Sequence, residues 1–223
     1  MGVREHQPEE TESLLKVGGI AKRRPRLLDF VEAREWVYGA VFGDYDYVYP
    51  ERAALTPRID VYRFPPTARR PFFTFVTAGM SDLPMHSPAE LGADCRRVEL
   101  LFYAAEGRPE YAGLLGHLAH LPHENATWLH WGHTKANGSP PEPVFGSGAL
   151  DCLFFMPSVV QPDARLGEEL SWRGEPVHLL WCVPISTAEC NLKHERGVLA
   201  LCEVLRARSQ HPFIYAGDRA SYV

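Results

Sequence analysis

An α+β fold, with a mixed β-sheet packed between helices in an α/β/α sandwich-like arrangement, is what this sequence predicts, and three observations carry the prediction. In the run Phe72-Phe73-Thr74-Phe75-Val76, Phe73 and Phe75 point one way and Phe72, Thr74 and Val76 the other, because side chains alternate along a strand. A strand with large groups on both sides belongs inside a sheet that is covered on both faces. Apolar residues recur at helical spacing in three other segments, near 26–42, 109–122 and 187–206. Shorter strand patterns at 59–64, 97–103, 151–156 and 177–183 lie among them. A chain of 223 residues has room for one core of ordinary size. The division expected is therefore a flexible N-terminal arm over 1–25 and a single domain over 26–223.

The arm is polar and aperiodic, with Glu9, Glu10 and Glu12 followed by Lys22, Arg23 and Arg24, and such termini stay mobile unless something ties them down. The first helix follows from Leu27, Leu28, Val31, Trp36 and Val37 on one side and Asp29, Glu32, Arg34 and Glu35 on the other, ended by Gly43. Asp44 to Pro50 then forms an aromatic, acidic loop. Tyr45 and Tyr47 in it either offer interface area or pack down on the first helix. The alternating segment 59–64 leads through Pro65-Pro66 and Arg69-Arg70-Pro71 to the central strand, as in a wide antiparallel hairpin. That strand stops at Gly79, where the backbone is free to turn, and Ser81-Asp82-Leu83-Pro84 makes a tight turn into Met85. Asp82 can bond nearby amides there and Pro84 fixes the exit.

The next strand, 97–103, puts Val98, Leu100 and Phe102 on one side and Arg97 and Glu99 on the other. An exposed pair of this kind is a local ion pair worth about 1 kcal/mol or less, whereas a buried Glu99 needs a defined partner. Pro109 in a first turn, then Tyr111, Leu114, Leu115 and Leu118, mark a second helix closed by Pro122 and flanked by His117, His120 and His123. Trp128-Leu129-His130-Trp131-Gly132-His133-Thr134 is a second aromatic concentration, followed by a Gly- and Pro-rich loop over 137–148. Two further strands follow, the second ended by Pro184. Ser186-Thr187-Ala188-Glu189 reads as a capping box, with serine and glutamate satisfying each other's amides. It opens a long helix with Ala188, Leu192, Val198, Leu199, Cys202 and Leu205 as its apolar stripe and Gly197 weakening the middle. The chain closes with Phe213, Ile214 and Tyr215, then Gly217-Asp218-Arg219 and a short terminal segment that could add an edge strand.

Composition excludes several classes. A net charge of −5 argues against a nucleic-acid partner, which needs a concentrated basic face, but suits a basic protein partner. No stretch is long and apolar enough to span a membrane. Arg4, Glu5, Glu9 and Glu10 near the start do not fit a secretory signal, so a cytoplasmic protein is expected. Five cysteines, an odd number with no Cys-x-x-Cys pair, signal neither a disulfide framework nor a zinc knuckle.

The sharpest enzymatic reading is a metal-dependent hydrolase with His130, His133, Glu189 and His194 as zinc ligands. No His-Glu-x-x-His helix supports it, and Glu189 already has a capping role. Gly146-Ser147-Gly148 is neither a nucleotide loop nor a five-residue nucleophile elbow. Cys190 and His194, four apart on one helix, could form a thiolate pair, although such a cysteine is more often packed.

Taken together in order and spacing, the 72–85 stretch, Arg97-Val98-Glu99-Leu100, Gly132-His133-Thr134, Val183-Pro184-Ile185-Ser186 with Glu189, and Asp218-Arg219-Ala220-Ser221 resemble the Suppressor-of-fused-like family. The resemblance covers about residues 59–223. It implies a non-enzymatic binding protein with an α/β core, without cofactor or metal. Animal members restrain a transcription factor by gripping a short peptide and use a second, C-terminal domain as well. This chain looks like the compact bacterial form, which resembles immunity proteins that neutralise toxins exchanged between competing cells. The partner-binding residues expected are Tyr45, Tyr47, Asp82, Trp128, Trp131 and His133. The signature residues Gly79, Ser81, Pro84, Met85, Arg97, Glu99, Gly132, Thr134, Ser186, Glu189 and Arg219 are expected to hold the loops. The protein partner expected is a toxin or a peptide segment, bound by occlusion of its functional face.

Overall fold

The computed structural model describes residues 14–17, 20–23, 30–53, 55–92, 96–160, 163, 170–172, 174–208 and 213–223. Its strands are β1 (Leu14–Val17), β2 (Ile20–Arg23), β3 (Tyr47–Tyr49), β4 (Asp60–Phe64), β5 (Phe73–Ala78), β6 (Val98–Ala104), β7 (Thr134–Ala136), β8 (Cys152–Pro157), β9 (Ser171–Trp172), β10 (Glu175–Pro176) and β11 (His178–Ile185). Its helices are α1 (Phe30–Phe42), α2 (Pro109–Glu124), α3 (Thr187–Arg196) and α4 (Val198–Arg208). Seven strands form one mixed sheet in the order β3-β4-β5-β6-β11-β8-β7. Its neighbours are antiparallel except β6 and β11, which run parallel. β1 and β2 pair as a separate hairpin inside the segment read as an arm, most of which lies outside the described residues. Cys95 also lies outside them. Among the described residues no helix is long and apolar enough to cross a membrane.

The period-two pattern of the central strands divides the core in two. Val76 of β5, Leu101 and Tyr103 of β6, and Trp181 and Val183 of β11 pack under α1 and under Leu201 and Leu205 of α4. Phe75, Leu100, Phe102, Leu180 and Cys182 face the other way, onto Tyr111, Leu115 and Leu118 of α2. The sheet is thus sandwiched between helical layers, as the central strand's sequence requires.

Several local expectations change. The buried face of α1 is Phe30, Ala33, Arg34, Val37, Tyr38 and Phe42, so Arg34 lies on the inner side while Val31 is exposed. Pro122 does not close α2 but sits in its last turn. The helix runs on to Glu124, and Asn125 caps it by donating backbone and side-chain N–H to the Leu121 carbonyl at 3.0 Å each. Pro184 lies within β11, paired opposite Leu153. The Ile185 carbonyl accepts from Asp151 N, just before β8, so the proline's missing amide faces the other way, where pairing with β6 has ended at Trp181. Into that opening comes the C-terminal segment: Tyr215 forms a parallel bridge to Ala104, inside the sheet and not at its edge. Gly197, at φ +88°, ends α3 outright, and α4 starts afresh at Val198. The restart rotates the stripe, leaving Leu199 71% exposed and burying Leu201 and Leu205.

Candidate partner-binding site

The turn after β5 is heavily braced. Gly79 adopts φ +129°, and a Cβ there would lie 2.0 Å from the Arg58 carbonyl oxygen, so glycine is required on both counts. Met80–Asp82 then makes one 3₁₀ turn. Beneath it lies Glu99 of β6, fully buried. Its carboxylate accepts from Thr77 Oγ1 and Ser81 Oγ, both at 2.6 Å, from the amides of Gly79 and Ser81 at 3.0 and 3.1 Å, and from Arg34 Nη1 at 3.2 Å. Arg34 also holds Asp82 Oδ1 at 2.6 Å. Burial alone would lower the Arg34 pKa, but Glu99, Tyr38 and Asp82 reverse this and raise it, so the guanidinium stays charged. Arg97 donates to the carbonyls of Ser81 and Asp82 at 2.7 and 3.1 Å and to Glu175 at 2.7 Å. The local Arg97–Glu99 pair is therefore replaced by two longer-range anchors on the same turn.

Two more buried carboxylates repeat the device. Glu189 completes the capping box with Ser186, accepting from its amide at 2.9 Å while the Ser186 hydroxyl accepts from Glu189 N at 3.2 Å. Arg219 bonds both Glu189 oxygens at 2.6 and 2.9 Å, and Tyr222 N adds a third contact at 3.0 Å. Asp163 is held by Arg70 at 2.6 and 2.8 Å and by the Tyr103 hydroxyl. Burial and the Asp163 charge push the Tyr103 pKa well up, which keeps that phenol protonated. The Gly146-Ser147-Gly148 fragment has a structural reason too: a Cβ on Gly148 would fall 2.2 Å from Asp218 Cγ.

The surface residues predicted to meet a partner do not converge. Tyr45 and Tyr47 are about half exposed, at the β3 edge, with Tyr47 opposite Arg63 near the end of β4. Trp131 is 47% exposed and His133 precedes β7, the opposite edge. The two edges are six inter-strand steps apart, roughly 29 Å. Asp82, whose side chain is 35% exposed, belongs with the second group. Its turn is joined to the last turn of α2 by His123 Nε2 to the Met80 carbonyl at 3.1 Å, and the chain that follows the turn is joined to the segment after α2 by His86 N to Thr127 O at 3.2 Å and Leu129 N to Met85 Sδ at 3.4 Å. Trp128 is half-buried against His133, ring centroids 5.7 Å apart. Gly132 bonds Phe155 O at 2.9 Å and Thr134 Oγ1 lies 3.3 Å from His194 Nε2.

The hydrolase reading loses its ligand set. Glu189 has both oxygens engaged by Arg219 and the cap and is fully buried, so it cannot join His130 and His133, whose ring centroids are 6.2 Å apart. Among the described residues no group of three or more His, Cys, Asp or Glu side chains is placed to hold a metal ion. Burial, with His130 and Lys193 nearby, lowers the His133 pKa.

Arg34, Arg70, Tyr103, Asp163 and Glu175 were not singled out from sequence. For Arg34 a signal existed: Phe30, Ala33, Val37, Tyr38 and Phe42 follow i, i+3, i+7, i+8 and i+12, and Arg34 falls inside that stripe. Asp163 stands in a segment without periodicity, 93 residues from Arg70, and offered none.

Comparison with known proteins gives a consistent picture. The family model for Suppressor of fused protein (SUFU) matches residues 56–216. A SUFU (suppressor of fused protein) homolog from Neisseria gonorrhoeae superposes with a TM-score of 0.63 at 16% identity, over 87% of this chain and 97% of that one. A chain of a Sufu–Fu complex superposes with a TM-score of 0.61 at 14% identity, over 86% and 90%. At these identities the likeness speaks for the fold. No curated protein matches the chain.

Proposed function

The chain belongs to the Suppressor of fused protein (SUFU) family, and from that membership we propose that it is a non-catalytic protein-binding module acting in the cytoplasm, with residues 26–223 as one unit. The observation that carries the reading is the combination of a rigidly braced sheet with large aromatics left in solvent: Tyr45 is 55%, Tyr47 49% and Trp131 47% exposed. Exposed tyrosine and tryptophan on a rigid frame lose little entropy on binding and supply large contact area. The buried carboxylates of Glu99, Glu189 and Asp163 serve that frame, since each is inaccessible and held by donors from other elements. A structural neighbour was crystallised as a Sufu–Fu complex, which supports a protein partner here.

The finer reading is restraint by occlusion, as an immunity protein covers the working face of a toxin. The β3 edge with Tyr45 and Tyr47, and the opposite end with Asp82, Trp131 and His133, are then alternative or successive contact faces. The test is co-expression with the product of the adjacent reading frame, followed by titration of the purified pair. Restored growth and a stoichiometric complex, weakened at least about tenfold by alanine at Tyr45 or Trp131, support the proposal. A chain that binds no protein but turns over a small molecule in a His133-dependent way overturns it.

A further inference from the structure

Between the C-terminal end of α1, the loop before β3 and the face of β4 lies a cavity of about 420 Å³, lined by Glu35, Tyr38, Asp44, Tyr45, Tyr62 and Phe64, together with Gly39 and Gly43 of the helix end. Tyr62 and Phe64, two apart on β4, present nearly parallel rings, 19° from coplanar. Tyr45 rises from them almost at right angles, 5.1 Å from Tyr62 at 89° and 6.3 Å from Phe64 at 88°. The result is an aromatic floor and wall. Three sources of negative potential surround it. Glu35 uses Oε1 to accept from the Tyr62 hydroxyl, and among the described residues its second oxygen has no partner. Asp44 is exposed and, among the described residues, makes no ion pair. The third source is the helix itself: α1 ends here with no basic residue in its last turn, so its carbonyl end faces the cavity without a cation. Arg63, the nearest cation on β4, is committed elsewhere, to Asp46 at 2.8 Å and the Gly107 carbonyl at 2.7 Å.

Aromatic faces, carboxylates and a helix C-terminus each favour a cation, and here they line one space. We infer that this cavity receives the guanidinium of an arginine side chain carried by the protein partner, an assignment that rests on the binding-module reading and names the chemistry the partner must present. A guanidinium is planar and weakly hydrated, so it stacks on the half-exposed Tyr45 ring, which stands on the buried Tyr62 and Phe64, while its N–H fork reaches the Glu35 and Asp44 carboxylates. An ammonium offers no such plane. The source is a protein and not free arginine because the rim is the edge strand with Tyr47 beside Tyr45, contact area that only a longer chain covers.

The full chain is titrated with short Gly/Ser peptides bearing one central arginine, citrulline or lysine, followed by amide shifts of Gly39 and Gly43. Citrulline keeps the shape and removes the charge. The arginine peptide is expected to bind about tenfold tighter than citrulline and to lose about tenfold in Tyr45→Ala, and again in Glu35→Gln with Asp44→Asn. Tyr45 is about half exposed, and a thermal melt of Tyr45→Ala checks that the variant folds. Equal binding of citrulline, no binding of the arginine peptide, or full affinity in the variants overturns the site. Lysine equal to arginine overturns the guanidinium assignment. If the partner still binds the Tyr45→Ala chain at full strength, this site fails while the binding-module reading stands. If no protein binds the wild-type chain, that reading fails, and the peptides still judge the cavity.

Discussion

Replacing Glu99 by glutamine keeps shape and volume but removes the charge that Arg34 is buried to meet. Glu99 is wholly inaccessible and Arg34 nearly so, and the carboxylate is the common acceptor for two hydroxyls and two amides of the 77–81 turn. Breaking a buried pair by deleting one partner costs about 3–5 kcal/mol, because the other charge is left uncompensated. Asp82 remains bonded to Arg34 at 2.6 Å, which places Glu99→Gln at the lower end of that range. The amide NH₂ of glutamine must also face donors where the carboxylate faced them, which adds to the loss. For a chain of this size about 1 kcal/mol shifts the melting temperature by about 2–4 °C, so a fall of roughly 6–12 °C is expected. Urea unfolding followed by circular dichroism gives the free energy. A double-mutant cycle with Arg34→Met should show the two losses overlapping by about 1–3 kcal/mol. A change below about 1 kcal/mol for Glu99→Gln, or additive losses in the cycle, would refute the view that this pair organises the turn.

Three further outcomes are expected. Gly148→Ala drives a Cβ onto Asp218 and should destabilise by about 1–3 kcal/mol, and Asp218→Gly in the same chain, which removes Cγ and also the Cβ that lies 2.6 Å away, should recover part of the loss in a thermal melt; no recovery would place the strain elsewhere. Arg219→Ala leaves the fully buried Glu189 without its cation and should cost about 3 kcal/mol in urea unfolding, several times the effect of Ser186→Ala, a cap loss of about 1 kcal/mol. His123 and His133 have pKa values lowered below 6.5, in each case chiefly by burial. Between that value and the depressed native one the unfolded chain holds more protons, so stability falls as pH drops through the window. Urea midpoints at about pH 7.5 and about pH 5.5 should differ, and should differ less in His123→Gln.

What could be read from the sequence follows its local periodicities. The alternation at 72–78 announced a strand buried on both faces, and the Ser186–Glu189 box marked a helix start, because both signals are complete within a few residues. Errors arose where a local rule met a tertiary one. Val31 and Arg34 exchange places with respect to the core because the acidic turn 48 and 65 residues away needs a cation there. Pro184 continues a strand because its missing amide faces the side that β6 has left. The signature residues were legible as a set that holds loops, but the partners each one uses were not: Glu99, Arg97, Glu189 and Arg219 reach donors and acceptors between 15 and 78 residues away. The separation of the exposed aromatics to opposite sheet edges depends on strand order, which no single segment encodes.

The central proposal is that a braced sheet binds another protein through its exposed aromatics. Its most direct measurement is calorimetric titration of the purified chain with the product of its adjacent gene, in wild type and in Tyr45→Ala and Trp131→Ala variants of unchanged melting temperature. A one-to-one complex, weakened about tenfold or more by at least one of the two substitutions, is the predicted result. Heat from substrate turnover without complex formation, or binding indifferent to both substitutions, would contradict it.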